Sequence, residues 1–148
     1  MLEFSNTSLR LLENTDLDFL FEIENNPKNK KFNKFISTTS RQLLKDYIKN
    51  AQADISVYNQ IRFVVENKNI QIGLIDLFEY DPEKKNAGVG IIINSKFRNK
   101  NFGSNALKII IDYSFQKLDL IFLFANIKSE NKHSIKSVSY THLRAHET

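Results

Sequence analysis

The chain has no cysteine. Disulfides, thiolate catalysis and cysteine–zinc sites are therefore excluded, and the composition suits a reducing compartment. No apolar run approaches the roughly 18 residues of a membrane span. The start, MLEFSNTSLRLLENTD, lacks the basic-then-apolar order of a signal peptide. A cytoplasmic location and no membrane partner are the expectations. No basic block with interleaved aromatics occurs, so nucleic acid is not expected as a partner. Charge of one sign is also in short supply. The 21 Lys+Arg stand against 17 Asp+Glu, a net +4, which reads mostly as solvated surface. No repeat or linker divides the chain.

What is present suffices for one domain: 148 residues, 41% of them hydrophobic, bury a real core. Leu9 to Leu12 is a short apolar strand. Thr15 or Asn14 then caps a helix with Leu17, Leu20, Phe21 and Glu24 at helical spacing, stopped by Asn25-Asn26-Pro27. Lys28–Lys34 reads as a basic surface loop. Ser40 caps a second helix, whose stripe is Leu43, Leu44, Tyr47, Ile48 and Ala51. Ile61–Val65 and Ile70–Phe78 are strands joined by the polar turn Glu66-Asn67-Lys68-Asn69. Asp81-Pro82 opens another turn. Val89–Ile93 is a third strand, apolar on both faces.

The most informative stretch runs from Val89 to Phe115. An apolar strand leads into a basic, glycine-bearing turn and then an amphipathic helix with Leu107, Ile110, Ile111 and Ser114 on one side. That order puts unpaired backbone N–H groups at a helix start beside positive side chains, a holder for phosphate or pyrophosphate. Leu120–Ile127 is a strand again. Strand, helix, strand makes a parallel crossover, while the earlier strands pair as hairpins. The expected fold class is α/β, with a mixed sheet.

The last residues, SVSYTHLRAHET from Ser137 onward, break the preceding Asn, Lys, Ile and Phe bias and interrupt a helix starting near Asn131. They resemble a sequencing adapter read through as coding sequence. Residues 138–148 are expected to be a non-native tail, and residues 1–137 the domain, incomplete at its C-terminus. His142 and His146 sit four apart with no third ligand, so no metal is expected.

At Arg98-Asn99-Lys100-Asn101-Phe102-Gly103-Ser104-Asn105-Ala106 the chain resembles the acetyl-CoA loop of the GNAT superfamily of N-acetyltransferases, where the pattern is Gln/Arg-x-x-Gly-x-Gly/Ala. Gly73-Leu74-Ile75-Asp76-Leu77, Asp81-Pro82 and Ala87-Gly88-Val89-Gly90-Ile91-Ile92-Ile93 fall in that family's order. Asn126 and the pair Asn131…Ser134 look like its Asn-x-x-Ala/Ser segment. The resemblance spans about residues 8 to 137. It is nearest to the spermidine/spermine acetyltransferases and the enzymes acetylating ribosomal-protein N-termini.

The resemblance implies a GNAT-like fold: a central mixed sheet flanked by helices, with the final helix and hairpin incomplete. It implies acetyl-CoA as co-substrate, no metal, and direct transfer to a primary amine on a small molecule, polyamine or protein. Cofactor binding falls to Ile91, Ile92, Ile93, Arg98, Asn99, Lys100, Asn101, Phe102, Gly103, Ser104, Asn126, Asn131 and Ser134. The strand at Ile91–Ile93 is expected to splay from that at Phe122–Ile127. Relatives often form dimers, so a homodimer is admitted.

Deprotonating the acceptor amine calls for a carboxylate. Asp76 and Glu79 are the catalytic candidates. They are three apart and point to opposite faces unless a bulge intervenes, and Asp76 shares its face with Leu74 and Phe78. Glu22 and Glu24 are candidates for binding a cationic acceptor, against the alternative of a solvated helix face. Three departures stand out. Asn101 replaces the first motif glycine. Val138 falls where the family often has a tyrosine that protonates the leaving thiolate. Gly88 falls where polyamine-acetylating relatives often have an acid. The alternative function is a non-catalytic CoA-binding module or inactive fragment.

Overall fold

The computed structural model describes residues 2–25, 40–98, 100–127 and 144–147. The chain forms β1 (Glu3–Phe4), β2 (Thr7–Leu11), α1 (Leu17–Asn25), α2 (Arg41–Ala51), a single turn α3 (Ile55–Tyr58), β3 (Ile61–Asn67), β4 (Ile70–Asp81), β5 (Asn86–Ile93), α4 (Phe102–Gln116), β6 (Phe122–Ile127) and β7 (Arg144–Glu147). Among the described residues these strands make one sheet in sequence order. Pairing is antiparallel from β1 to β5, then parallel for β5–β6 and β6–β7.

Local chemistry accounts for the joints. Lys68 and Asn69 both have positive φ, 51° and 65°, the two-residue turn whose twist suits a β3–β4 hairpin. Ser40 caps α2 by accepting from the Leu43 N–H at 3.2 Å, while Leu44, Ile48 and Ala51 are buried. Leu43 departs from the expected stripe and is 52% exposed. The cap before α1 also differs from expectation. Neither Thr15 nor Asn14 supplies it. Asp16 reaches back to the Glu13 N–H at 2.7 Å and takes a two-pronged bond from Arg10, 2.8 Å on each prong. Arg10 also holds Glu66 at 3.0 Å, and Gln71 donates to Asp16. One buried carboxylate thus ties β2, β3 and β4 to the entry of α1.

Strand alternation divides the core between two faces. On one, Phe63, Ile75, Leu77 and Val89 pack beneath α4, which buries Phe102, Ala106, Leu107, Ile109 and Ile110. On the other, Val64, Leu74 and Ile92 pack beneath α1 and α2 through Leu20, Ile23, Leu44 and Ile48. Burying each such aliphatic side chain stabilises the fold by about 1.5–3 kcal/mol.

Within the segment 138–148, Arg144–Glu147 pairs with Phe124–Ile127 as β7. The strand covers the edge of β6, whose backbone groups would otherwise lack partners.

Candidate acetyl-CoA and acceptor site

The parallel pairing of β5 with β6 is short. It runs Asn86↔Phe122, Ala87↔Leu123 and Gly88↔Phe124, and then stops. Beyond Gly88, β5 continues to Ile93, where among the described residues its pairing is with β4 on its other side. The two strands therefore diverge toward their C-terminal ends, as expected for Ile91–Ile93. Among the described residues this edge of β5 has no strand partner, and backbone groups at such an edge can pair with a ligand.

The turn after β5 delivers the helix start to this opening. Asn101 sits in the left-handed region, φ 68° and ψ 6°, and makes no side-chain cap. The Asn105 N–H closes the first helical turn on the Asn101 carbonyl at 3.0 Å. The amides of Phe102, Gly103 and Ser104 fall among the first N–H groups, which have no intrahelical acceptor, at the positive end of the helix dipole. Ile91 and Ile93 are half-buried against the α4 side. Ile92 points to the other face and is buried among the α1 and α2 residues. Phe102 is buried and packs edge-on to Phe97, ring centroids 6.3 Å apart.

The charges in the turn divide. The Arg98 Nε donates to the Ile93 carbonyl at 3.0 Å, tying the turn to the end of β5, and burial pushes its pKa below the usual guanidinium value. Lys100 is exposed, its Nζ 6.0 Å from the Phe97 ring centre. Asn99, Asn131 and Ser134 lie outside the described residues. Asn126 is placed in β6 by its backbone.

Gly103 differs from the chain's other glycines. A Cβ at Gly73, Gly88 or Gly90 would come within 2.4–2.6 Å of neighbouring atoms, whereas at Gly103 the nearest atom, Ile93 Cγ1, is 3.8 Å away. The protein's own packing does not require glycine there.

On the opposite face the strands bring a polar group to the same opening. Asp76 is 4% exposed and pairs in register with Gly90. Its Oδ1 would lie 2.6 Å from a Cβ on Gly90, so only glycine lets this carboxylate lie across β5. Arg62 faces Asp76 from β3. Its Nη2 pairs with Glu24 Oε1 at 2.9 Å, and its Nη1 lies 3.3 Å from the Tyr47 hydroxyl. Burial opposes the charge on Arg62, but Tyr47, Asp76 and Glu24 outweigh it and raise its pKa above the usual value.

Glu24 therefore does not stand on a solvated face: it is 1% exposed and paired with Arg62. Glu22 is exposed. A bulge does interrupt β4, between Phe78 and Asp81. Glu79 lies in it with φ 50° and is exposed. It sits about 10 Å further along β4 than Asp76, at about 3.3 Å per residue, toward the end where β5 and β6 are closed. Arg62, Tyr47, Phe78 and Phe124 join the site without having been singled out in the sequence. For Arg62 a signal existed, a guanidinium inside the apolar run Ile61–Val65, which demands a buried partner.

Residues 6–139 match the family model for the acetyltransferase (GNAT) domain. The chain belongs to the GNAT family. This GNAT chain is 28% identical over 133 residues to spermidine N(1)-acetyltransferase of Escherichia coli K12, covering 86% of the chain and 67% of that relative. It is 28% identical over 132 residues to an uncharacterized N-acetyltransferase of Bacillus licheniformis, covering 87% and 74%. Among solved structures, spermidine N-acetyltransferase from Vibrio cholerae in complex with CoA and spermine superposes with a TM-score of 0.81 at 26% identity, covering 93% of this chain and 80% of that one. The expected fold, the enzyme class and acetyl-CoA as co-substrate are thereby shown. The protein is an N-acetyltransferase that moves an acetyl group from acetyl-CoA to an amine. Among the described residues no group of side chains is arranged to hold a metal, and no helix is long and apolar enough to cross a membrane.

Proposed function

We propose that the β5–β6 opening is the transfer site and that Asp76 handles the acceptor's proton. The observation that carries this is convergence. The Arg98–Ser104 turn reaches the opening from the α4 face, and Asp76 reaches it across Gly90 from the opposite face. The residues fit the co-substrate. Helix-start amides suit a pyrophosphate. The backbone edge of β5, with apolar Ile91 and Ile93 beside it, suits a pantetheine arm. The open space at Gly103 suits a close approach by a ligand.

Bound acetyl-CoA supplies an activated thioester. Backbone N–H groups of β5 at the opening stabilise negative charge on the acetyl oxygen, a preorganised arrangement that needs no special side chain. An alkylamine arrives protonated, with a pKa near 10, and must lose its proton before its lone pair can form the N–C bond. Asp76 accepts that proton through a water molecule before the N–C bond forms. The second nitrogen proton passes to water as the C–S bond breaks, and the leaving thiolate takes a proton from solvent; the Val138 position lies outside the described residues.

The acceptor is a primary amine, and the names of the relatives make spermidine the first candidate to assay. The composition shift after Ser137 and the end of the family match at residue 139 support a domain of residues 1–137 with an appended segment. Reading the source gene past the Ser137 codon tests that division. For the mechanism, Asp76→Asn should lower kcat by roughly 10²–10⁴ with CoA affinity unchanged. Wild-type kcat in that variant would remove Asp76 from the reaction.

A further inference from the structure

The first turn of α4 is tied to the sheet by a polar contact in an otherwise apolar place. Thr7 begins β2 and is 1% exposed. It shares its strand face with Leu9, which belongs to the core beneath α4 together with Phe102, Ala106 and Leu107. A hydroxyl buried there needs a partner, and this one has two. It donates to the Asn6 Oδ1 at 3.2 Å and accepts from the Asn105 Nδ2 at 3.1 Å. The Asn105 amide also reaches the Asn6 Oδ1, at 3.4 Å. The β1–β2 turn that carries Asn6 is itself held, because the Asn67 side chain at the end of β3 donates to the Asn6 carbonyl at 2.7 Å.

The place of Asn105 along the helix gives this contact its consequence. Its own N–H is bonded to the Asn101 carbonyl, so the amides of Phe102, Gly103 and Ser104 lie in the turn just before it. Asn101 makes no side-chain cap. Among the described residues from Asn101 to Asn105, Asn105 is the one whose side chain hydrogen-bonds to another element. On the other flank, the Arg98 bond to the Ile93 carbonyl holds the entry of the turn. The helix start is thus fixed from β5 before the three amides and from β2 after them. An apolar pair could fill the same space between α4 and β2, but apolar contact has no direction. A hydrogen bond weakens steeply as it misaligns. The polar pair therefore sets the rotation and height of the first turn, and with them the aim of the amides.

Resting on the transfer site proposed above, we propose that Asn105 is a positioning residue for acetyl-CoA. Through Thr7 it aims the Phe102–Ser104 amides at the pyrophosphate.

The test separates aim from stability. In Asn105→Ala the Thr7 hydroxyl keeps Asn6 as a partner, and alanine is the better helix former. Tm should be equal or higher. The Kd for CoA, by calorimetry on the full chain, should nonetheless weaken about five- to tenfold, part of the value of one hydrogen bond to a charged group. Pantetheine lacks the pyrophosphate. Its Kd, read from the amide shifts of Ile91–Ile93, should be the same in variant and wild type. Thr7→Val removes the other partner and should weaken CoA by a similar factor. The double variant should be no weaker than the single ones, because both changes break one contact. An unchanged CoA Kd in Asn105→Ala would overturn the proposal. Equal weakening of CoA and pantetheine, or losses that add in the double variant, would also overturn it. Pantetheine binding the wild type as tightly as CoA is a distinct outcome: the helix start then holds no pyrophosphate, and the transfer-site reading falls together with the proposal.

Discussion

Replacing Asn101 with alanine isolates one backbone conformation. Asn101 stands at φ 68° and ψ 6°, its side chain makes no cap hydrogen bond, and it is exposed. Removing the side chain therefore forfeits no cap and no packing. What changes is the cost of the left-handed region, which is about 1–2 kcal/mol for an ordinary L-residue and less for asparagine. The difference is about 1 kcal/mol. It must appear in one of two places. If the turn holds its shape, Asn101→Ala loses about 1 kcal/mol of stability and about 3 °C in Tm for a domain of this size. If the turn relaxes when empty, stability is kept, and CoA binding must restore the strained shape, weakening Kd about fivefold. Asn101→Gly removes the strain and should show neither loss. Differential scanning calorimetry and CoA titration on the same samples read both quantities. An alanine variant matching the wild type in both would refute the claim that this conformation presents the helix amides to the ligand.

Gly103→Ala should keep the fold and gain up to about 0.5 kcal/mol, since a Cβ there meets ordinary contacts and the unfolded chain loses freedom. Gly103→Trp should fold, by circular dichroism, and lose CoA binding in the same titration. For Arg98, the bond to the Ile93 carbonyl argues for positioning rather than charge alone. Arg98→Lys should then bind CoA as weakly as Arg98→Ala, and full rescue by lysine would show the opposite. Burial opposes ionisation of the Asp16 carboxyl, but Arg10, the Glu13 N–H and Gln71 more than offset it and hold its pKa below the usual value. A depressed carboxylate stabilises the fold above its unfolded pKa, near 4, and loses that contribution as pH falls through the lower folded value. Urea unfolding from pH 7 down to 2 should show an acid loss of stability that Asp16→Asn reduces, with that variant less stable by about 2 kcal/mol at pH 7.

Much of this architecture is legible in the chain because hydrophobic period reports local structure. The alternation through β3 and β4, the polar turn between them and the apolar run of β5 each follow from neighbours a few residues apart. The turn at Arg98–Ser104 is legible for the same reason, since strand, basic turn and helix are contiguous. Long-range matching is not legible this way. Glu24 looks like a solvated helix residue until Arg62 is found opposite it. Gly88 and Gly90 look like flexible points until strand register sets them under Phe78 and Asp76. Their role is to be empty, and no side chain announces that. The pairing of β7 with β6 is not legible either, because a composition shift says nothing about which edge a segment can pair with.

The most direct measurement follows backbone amide shifts by NMR as acetyl-CoA is titrated into the full chain. The account predicts changes concentrated at Ile91–Ile93 and at Phe102–Ser104, with small changes along β2 and β3. Shifts elsewhere with those two segments silent would contradict a site at the divergence of β5 and β6.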